Sequence, residues 1–375
     1  MEVIKPGSTI GILGGGQLGR MISLAGRNMG YRFITLDPTP DSPCGQVADF
    51  QITAPFSELK AAKELADSSD VITYEFENVD SNVASILETT SFVPQGSTLL
   101  KITQNRIREK TTLHSCDVPV TPFMVIETEN DITTAIDCLG LPYVMKTATG
   151  GYDGKGQWVI RNQDQISIAI EAWNKAGVDM IIEQFIPFSK ELSVIVARNA
   201  HGQMKTFPVA ENVHTNNILH QSIVPARITD EQRKTAERVA LRIAESFQVV
   251  GLIAIEMFLT NEGEIIVNEL APRPHNSGHY SMDACITSQF EQHIRAICGL
   301  PLGDTTLLSP IIMVNILGQH LSKVLDKMDQ LPPTAKLHLY GKKESSKNRK
   351  MGHINFLGPT FEQLNQQINE LQIWT

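Results

Sequence analysis

The sequence predicts a chain of mixed α/β and α+β architecture. A parallel α/β, Rossmann-like unit comes first, and units richer in antiparallel strands follow. Three observations predict it. Residues 8–80 alternate short apolar strands with amphipathic helical stretches, the pattern of a parallel sheet with crossover helices. Beyond residue 190 strand-like runs dominate, interrupted by one long helical stretch. The chain has 375 residues, 42% hydrophobic and 19% charged, which is too long for one core and apolar enough for several.

In order, STIGILGG reads as a strand, GQLGRMISLAGRNMG as a helix, RFITLD as a strand, SELKAAKELADSS as a helix and DVITYEF as a strand. LKITQNRIREKTTLH, from Leu100 to His114, reads as one charged helix, and the two prolines of VPVTPF (Val118 to Phe123) break it. A boundary near 110–120 follows. DITTAIDCLG is a helix, LPYVMKT a strand, QWVIRN a strand after a glycine-rich loop, Gln163 to Lys175 a helix and DMIIEQFI a strand. Then ELSVIVARN, GQMKTFPVAE, LIAIEMFL and GEIIVNEL read as strands around a helix from Thr229 to Phe247, and short strands and helices resume at Pro310. The predicted units are 1–110, 111–190 and 191–375, the last including a small C-terminal domain.

Composition excludes several classes. The longest apolar runs, Val249 to Ile255 and Pro310 to Val314, are far shorter than the roughly 18 to 20 residues of a membrane span. No secretory leader pattern opens the sequence, so a cytoplasmic location is expected. Five scattered cysteines without a C-x-x-C pair indicate neither a disulfide framework nor zinc. A net charge of −9 disfavours a nucleic-acid partner.

Two glycine clusters stand out. Gly14 to Gly19 satisfies G-x-G-x-x-G between a strand and a helix, with Asp37 ending the next strand. It fits a dinucleotide or, more generally, a tight turn offering amides to an anion or polar ligand. The second cluster joins two strands, and Lys155 precedes Gly156, so it is not a Walker A loop. A hairpin of this kind folds over a triphosphate, its amides and Lys155 meeting phosphate charge. Lys146 closes an apolar strand, where it must reach water or an anion. Glu183, Gln184, Phe185 and Ile186 close another before Pro187, at a junction whose backbone groups suit an adenine edge.

Glu256 and Glu269 lie inside apolar strands. A hairpin centred on Glu262 and Gly263 sets them opposite each other on one face. Two buried like charges require a cation or a shared proton, and oxygen ligands beside nucleotide phosphates suit magnesium. The loop APRPHNSGH follows, in which Arg273 offers a planar fork to bicarbonate or a phosphoryl group. The histidines show no zinc spacing. Lys342, Lys343, Lys347, Arg349 and Lys350 form either a solvated basic loop or a clamp for one substrate phosphate.

The ordered set Lys146, GGYDGKGQ, EQFI, Glu191, Glu256, Asn268-Glu269 and APRPHNSGH resembles the ATP-grasp superfamily. Within it, GYDGKGQ with APRPHNSGH and RKMGH is similar to the 5-(carboxyamino)imidazole ribonucleotide synthase family, nearly end to end. The resemblance implies an ATP-grasp fold and a ligase of de novo purine synthesis. It would use ATP, Mg2+ and bicarbonate to carboxylate 5-aminoimidazole ribonucleotide through carboxyphosphate, releasing ADP and phosphate. It implies ATP-binding residues Arg106, Lys146, Gly151, Tyr152, Asp153, Gly154, Lys155, Gly156, Gln157, Glu183 to Ile186, Glu191, His214, Asn268 and Glu269, and metal ligands Glu256 and Glu269. For the ribonucleotide it implies Gln17, Glu75, Tyr152, Asp153, Arg273, Lys342 and Arg349, with Arg273, Asp153 and Lys155 in the catalytic set. A homodimer is also implied. Competing readings are an ATP-grasp ligase using formate or an amino acid, a nicotinamide-dependent oxidoreductase, and a non-catalytic phosphate-binding module.

Overall fold

The computed structural model describes residues 2–150 and 156–374. Its first sheet has four strands in the spatial order Phe50–Ile52, Arg32–Leu36, Thr9–Leu13, Val71–Tyr74, every neighbouring pair parallel. Parallel neighbours need crossovers, and helices Gln17–Asn28 and Leu59–Asp67 lie in two of them. Both faces are covered, as such a sheet requires. Leu65, Val83 and Leu87 pack with Leu13 and Ile72 in one cluster, and Met21, Ile22 and Phe33 pack with Phe290 and Ile294 in another. The second cluster ties this unit to helix Gln289–Ile297 of the later chain.

A second, antiparallel sheet runs Phe123–Ile126, Met180–Gln184, Tyr143–Thr147, Gln157–Ile160. Ile132 and Ala135 of helix Glu129–Leu139 and Ala169 of helix Ile166–Ala176 close its core. The third sheet has nine antiparallel strands. Its path is Ile265–Ala271, Gly251–Thr260, Phe188–Arg198, Ala210–Thr215, Ile218–Val224, Ile311–Leu317, Lys350–Leu357, Ala335–Leu339, and Met204–Thr206 pairs with Phe188–Arg198. The C-terminal strands thus extend the sheet that holds Glu256 and Glu269. Helix Asp230–Ser246 starts at a capping box between Thr229 and Gln232 and buries Ala236, Ala240, Ile243 and Ala244 against Val194, Val196, Ile253 and Ile255.

Several sequence expectations need correction. The single helix expected over Leu100 to His114 is two, Ser97–Thr103 and Arg106–Ser115. Asn105 divides them, its side chain accepting hydrogen bonds from the amides of Ile107 and Arg108 as an N-cap. The run GQMKTFPVAE is two strands, because Pro208 has no amide to donate to a ladder. Strand Phe50–Ile52 and helix Ser81–Leu87 have no counterpart in the sequence reading. Among the described residues, no helix is long and apolar enough to cross a membrane. All five cysteines are free thiols, and Cys44, Cys285 and Cys298 are buried.

Candidate active site

The strongest sequence argument concerned the hairpin of strands Gly251–Thr260 and Ile265–Ala271. Glu256 does pair with Glu269, but by a different route from the one expected. The Thr260 amide donates to the Glu264 carbonyl at 2.9 Å, leaving a three-residue loop with Gly263 at φ +90° instead of a two-residue turn. That loop alone would set Glu256 against Asn268. A bulge between Met257↔Val267 and Glu256↔Glu269 leaves Asn268 as the extra residue and restores the carboxylate pair.

The pair is electrostatically crowded. Burial, and then the neighbouring Glu269 charge, push the Glu256 carboxyl up to about 7. His275 Nε2 lies 3.3 Å from Glu256 Oε1. Burial first, then the Arg273 charge, hold His275 well below its ordinary value, so the ring is neutral. Its Nδ1 accepts from the Ser277 amide at 3.3 Å, which leaves the proton on Nε2 to donate to Glu256. Arg106 Nη1 donates to Glu269 Oε2 at 3.0 Å. Asn268 Oδ1, next to Glu269 in sequence, is buried without a hydrogen-bond partner among the described residues. Two carboxylates and an orphaned amide oxygen form a hard, all-oxygen donor set that fits magnesium.

On the nucleotide side, Lys146 Nζ donates to Glu183 Oε2 at 2.9 Å across neighbouring strands of the second sheet. Burial alone would raise Glu183, but Lys110 and Lys146 outweigh it and bring it down to about 2. Gln157 pairs with Lys146, and the Gly156 carbonyl accepts from the Thr147 amide at 2.9 Å. Gly151, Tyr152, Asp153, Gly154 and Lys155 lie outside the described residues. The Gln184 and Phe185 amides already donate to Pro122 O and Pro142 O, at 2.9 and 3.2 Å. These two donors are therefore engaged within the chain, contrary to the exposed junction expected there; Ile186 follows them. Glu191 Oε2 holds His214 Nδ1. Burial lowers His214, but the Glu191 hydrogen bond prevails and its net shift is upward.

On the other side, the first glycine turn is closed by protein carboxylates. Glu75 accepts from the Gly16 amide and, at 2.5 Å, from the Gly19 amide, and Asp37 accepts from the Gly15 amide at 2.8 Å. A dinucleotide pyrophosphate would need those amides, so the turn serves to hold Glu75 in place. Gln17 opens the helix beside it. The Arg273 fork is engaged by Glu77, Nε with Oε2 and Nη2 with Oε1 at 2.9 Å, and Nη1 donates to Pro274 O at 3.2 Å. The expected open fork toward a substrate is thus already bidentate to a carboxylate. Lys342 Nζ donates to Lys350 O at 2.8 Å. Burial, then the Arg349 charge, bring Lys342 down to about 8, with Glu75 opposing. Arg349 turns to Glu344 of its own loop, donating to the Glu344 carbonyl at 3.2 Å.

Sequence reasoning passed over Lys110, Glu77 and the site role of His275; Lys350, which it placed in the basic loop or phosphate clamp, also reaches the metal side, its charge being felt by Glu77, Glu256, His214, His275 and Lys342. Lys110 carried a signal. It stands four residues after Arg106, on the same helix face.

The described fold and this carboxylate hairpin define an ATP-grasp ligase. Family models agree along the chain: a ribonucleotide synthetase preATP-grasp domain matches residues 7–104, an ATP-grasp domain 111–290, and a phosphoribosylaminoimidazole carboxylase C-terminal domain 312–367. The N5-carboxyaminoimidazole ribonucleotide synthase of Bacillus subtilis is 50% identical over 367 residues, 98% of this chain and 96% of that one. A crystal structure of an ADP complex of N5-carboxyaminoimidazole ribonucleotide synthetase superposes with a TM-score of 0.96 at 52% identity, covering 100% of this chain and 98% of that one. An Aspergillus clavatus N5-carboxyaminoimidazole synthase in complex with ADP and 5-aminoimidazole ribonucleotide gives 0.89 at 30% identity, covering 97% of each chain. The chain belongs to the N5-carboxyaminoimidazole ribonucleotide synthase family.

Proposed function

We propose that this chain catalyses the ATP- and bicarbonate-dependent carboxylation of 5-aminoimidazole ribonucleotide to N5-carboxyaminoimidazole ribonucleotide in purine biosynthesis, releasing ADP and phosphate. The observation that carries the reading is the Glu256–Glu269 pair with its Asn268 oxygen, unpartnered among the described residues, set between a lysine-lined nucleotide side and the Glu75, Arg273 and Lys342 side.

Glu256, Glu269 and Asn268 would hold magnesium, which supplies neutralisation of triphosphate charge. Lys146 and Arg106 meet phosphate oxygens, with Glu191, His214 and the 183–186 segment on the nucleoside. On the family resemblance, Tyr152, Asp153 and Lys155, outside the described residues, join the ATP-binding and catalytic set. A bicarbonate oxygen attacks the γ-phosphorus and the bond to ADP breaks, giving carboxyphosphate. Its carbon–oxygen bond to phosphate then breaks, and the substrate amine bonds to the released carbon dioxide. The amine proton passes to phosphate, so no side-chain base is required. Arg273, clamped by Glu77, orients the bicarbonate from a fixed plane, and positioning contributes most of the acceleration. Glu75, Gln17, Lys342 and Arg349 bind the ribonucleotide.

A homodimer in the cytoplasm accompanies this reading, on family resemblance. One sheet falls mainly in each of the proposed units 1–110, 111–190 and 191–375, with strand Phe188–Arg198 and helix Arg106–Ser115 crossing their bounds. The test is ADP release with magnesium-ATP and 5-aminoimidazole ribonucleotide, with and without bicarbonate, beside a formate control. Turnover and labelled-carbonate incorporation that need both substrates are expected. Turnover with formate alone would refute the assignment.

A further inference from the structure

Lys110 is the most deeply buried lysine of the site, 1% exposed, on helix Arg106–Ser115. A buried ammonium normally spends its donors on hydrogen bonds, because leaving them unmade is costly. Lys110 Nζ makes none among the described residues. It points at Glu183 Oε2 from 3.6 Å, while Lys146 Nζ already occupies that oxygen at 2.9 Å. The other carboxylate oxygen, Glu183 Oε1, is also buried and unpartnered among the described residues. Two lysines therefore crowd one oxygen of a fully buried carboxylate, and an unused donor and an unused acceptor wait beside them.

The two lysines differ in freedom. Lys146 ends a strand at the base of the glycine-rich loop and its side chain is 14% exposed, whereas Lys110 is enclosed. The Arg106 amide, one turn before Lys110, donates to Ala148 O at 2.9 Å, fixing the helix start to that same strand end. If Lys146 turned from Glu183 toward an anion with no second cation present, Glu183 would be left buried and uncompensated, the costly way to break a buried pair.

We infer that Lys110 is a positioning residue that takes over Glu183 when Lys146 leaves it for the phosphates of the nucleotide, closing its 3.6 Å approach into a hydrogen bond. The exchange keeps the buried carboxylate paired in both states, so Lys146 is released at low cost. The inference rests on the reading of Lys146 as a phosphate-binding lysine. It makes Lys110 a determinant of triphosphate affinity although it touches no substrate.

The experiment is calorimetric titration of the full chain with magnesium-ATP and, separately, with adenosine, on wild type, Lys110→Met, Glu183→Gln, the double variant and Lys146→Met, each checked by thermal melting. Lys110→Met is expected to weaken magnesium-ATP binding at least tenfold, to leave adenosine within about threefold, and to raise KM for ATP more than it lowers kcat. In the Glu183→Gln background the same substitution is expected to change ATP affinity by less than about threefold, since no buried carboxylate remains to be compensated. Unchanged ATP affinity in Lys110→Met would overturn the inference, as would equal losses for ATP and adenosine, or equal losses in both backgrounds. If Lys110→Met does not fold, comparing Glu183→Gln with the double variant decides: matching affinities support the exchange and a tenfold gap refutes it. Lys146→Met tests the underlying reading by itself, because unchanged ATP affinity there removes the phosphate role of Lys146 whatever Lys110 does.

Discussion

Lys342 ties substrate binding to pH in a way that can be worked out in advance. Its ammonium is half-buried against Tyr340, 5.7 Å above the ring, and burial followed by the Arg349 charge brings it down to about 8. If it binds the ribonucleotide phosphate, the free enzyme binds substrate well only while Lys342 is charged. A lysine with a value of about 8 is roughly 90% charged at pH 7 and roughly 9% at pH 9, so kcat/KM for 5-aminoimidazole ribonucleotide should fall about tenfold across that interval. The sign is fixed: affinity is lost as pH rises, and kcat at saturating ribonucleotide is affected less. The assay is initial ADP release between pH 7 and 9.5, with ATP, magnesium and bicarbonate saturating and ribonucleotide limiting. Lys342→Arg keeps its charge throughout this range, and its alkaline limb should disappear. Persistence of the limb near pH 8 in Lys342→Arg would assign it to another group and refute the argument.

Three further outcomes follow from the geometry. Glu269→Ala removes half of the facing pair and the Arg106 partner, and ADP release should fall at least about a hundredfold while thermal melting stays cooperative; unchanged magnesium dependence would contradict the metal assignment. Gly26→Ala places a methyl carbon 2.8 Å from Phe33 Cε2 and from Ile294 Cδ1, where the first unit meets helix Gln289–Ile297, and should cost about 1–3 kcal/mol in urea unfolding. Tyr340→Phe deletes the 2.9 Å hydrogen bond to His353 Nδ1, both groups being buried, and should cost about 1–3 kcal/mol by the same measurement.

The parallel N-terminal unit was legible because each of its main strands is a short apolar run and helices Gln17–Asn28 and Leu59–Asp67 carry clear apolar stripes, whereas helix Ser81–Leu87 is too short to show a period. Strand Phe50–Ile52 was not, since three residues give no period and their pairing to Arg32–Leu36 is set by tertiary contact. The break at Asn105 was visible in principle, because Asn before Arg-Ile-Arg is an N-cap signal. Charge on both sides of it, in LKIT and RIREK, made the two short helices read as one. Pro208 was missed in the same way, interrupting a run that read as one strand.

The site shows a sharper limit. The pairing of Glu256 with Glu269 was reached from a two-residue turn and no bulge, whereas the chain uses a three-residue loop and an extra Asn268. The two differences cancel, so a side-chain parity argument succeeds without the turn geometry being known. The bulge also explains why Asn268 belongs to the site. A residue expelled from ladder pairing has its side chain redirected, and here its oxygen is left buried without a partner among the described residues. Glu77 and Lys110 escaped because their importance lies in what faces them from distant segments. Glu77 meets Arg273 across 196 residues, and Lys110 meets Glu183 from a helix far earlier in the sequence. A local pattern identifies a charge that must be satisfied. Only the assembled sheets identify the group that satisfies it.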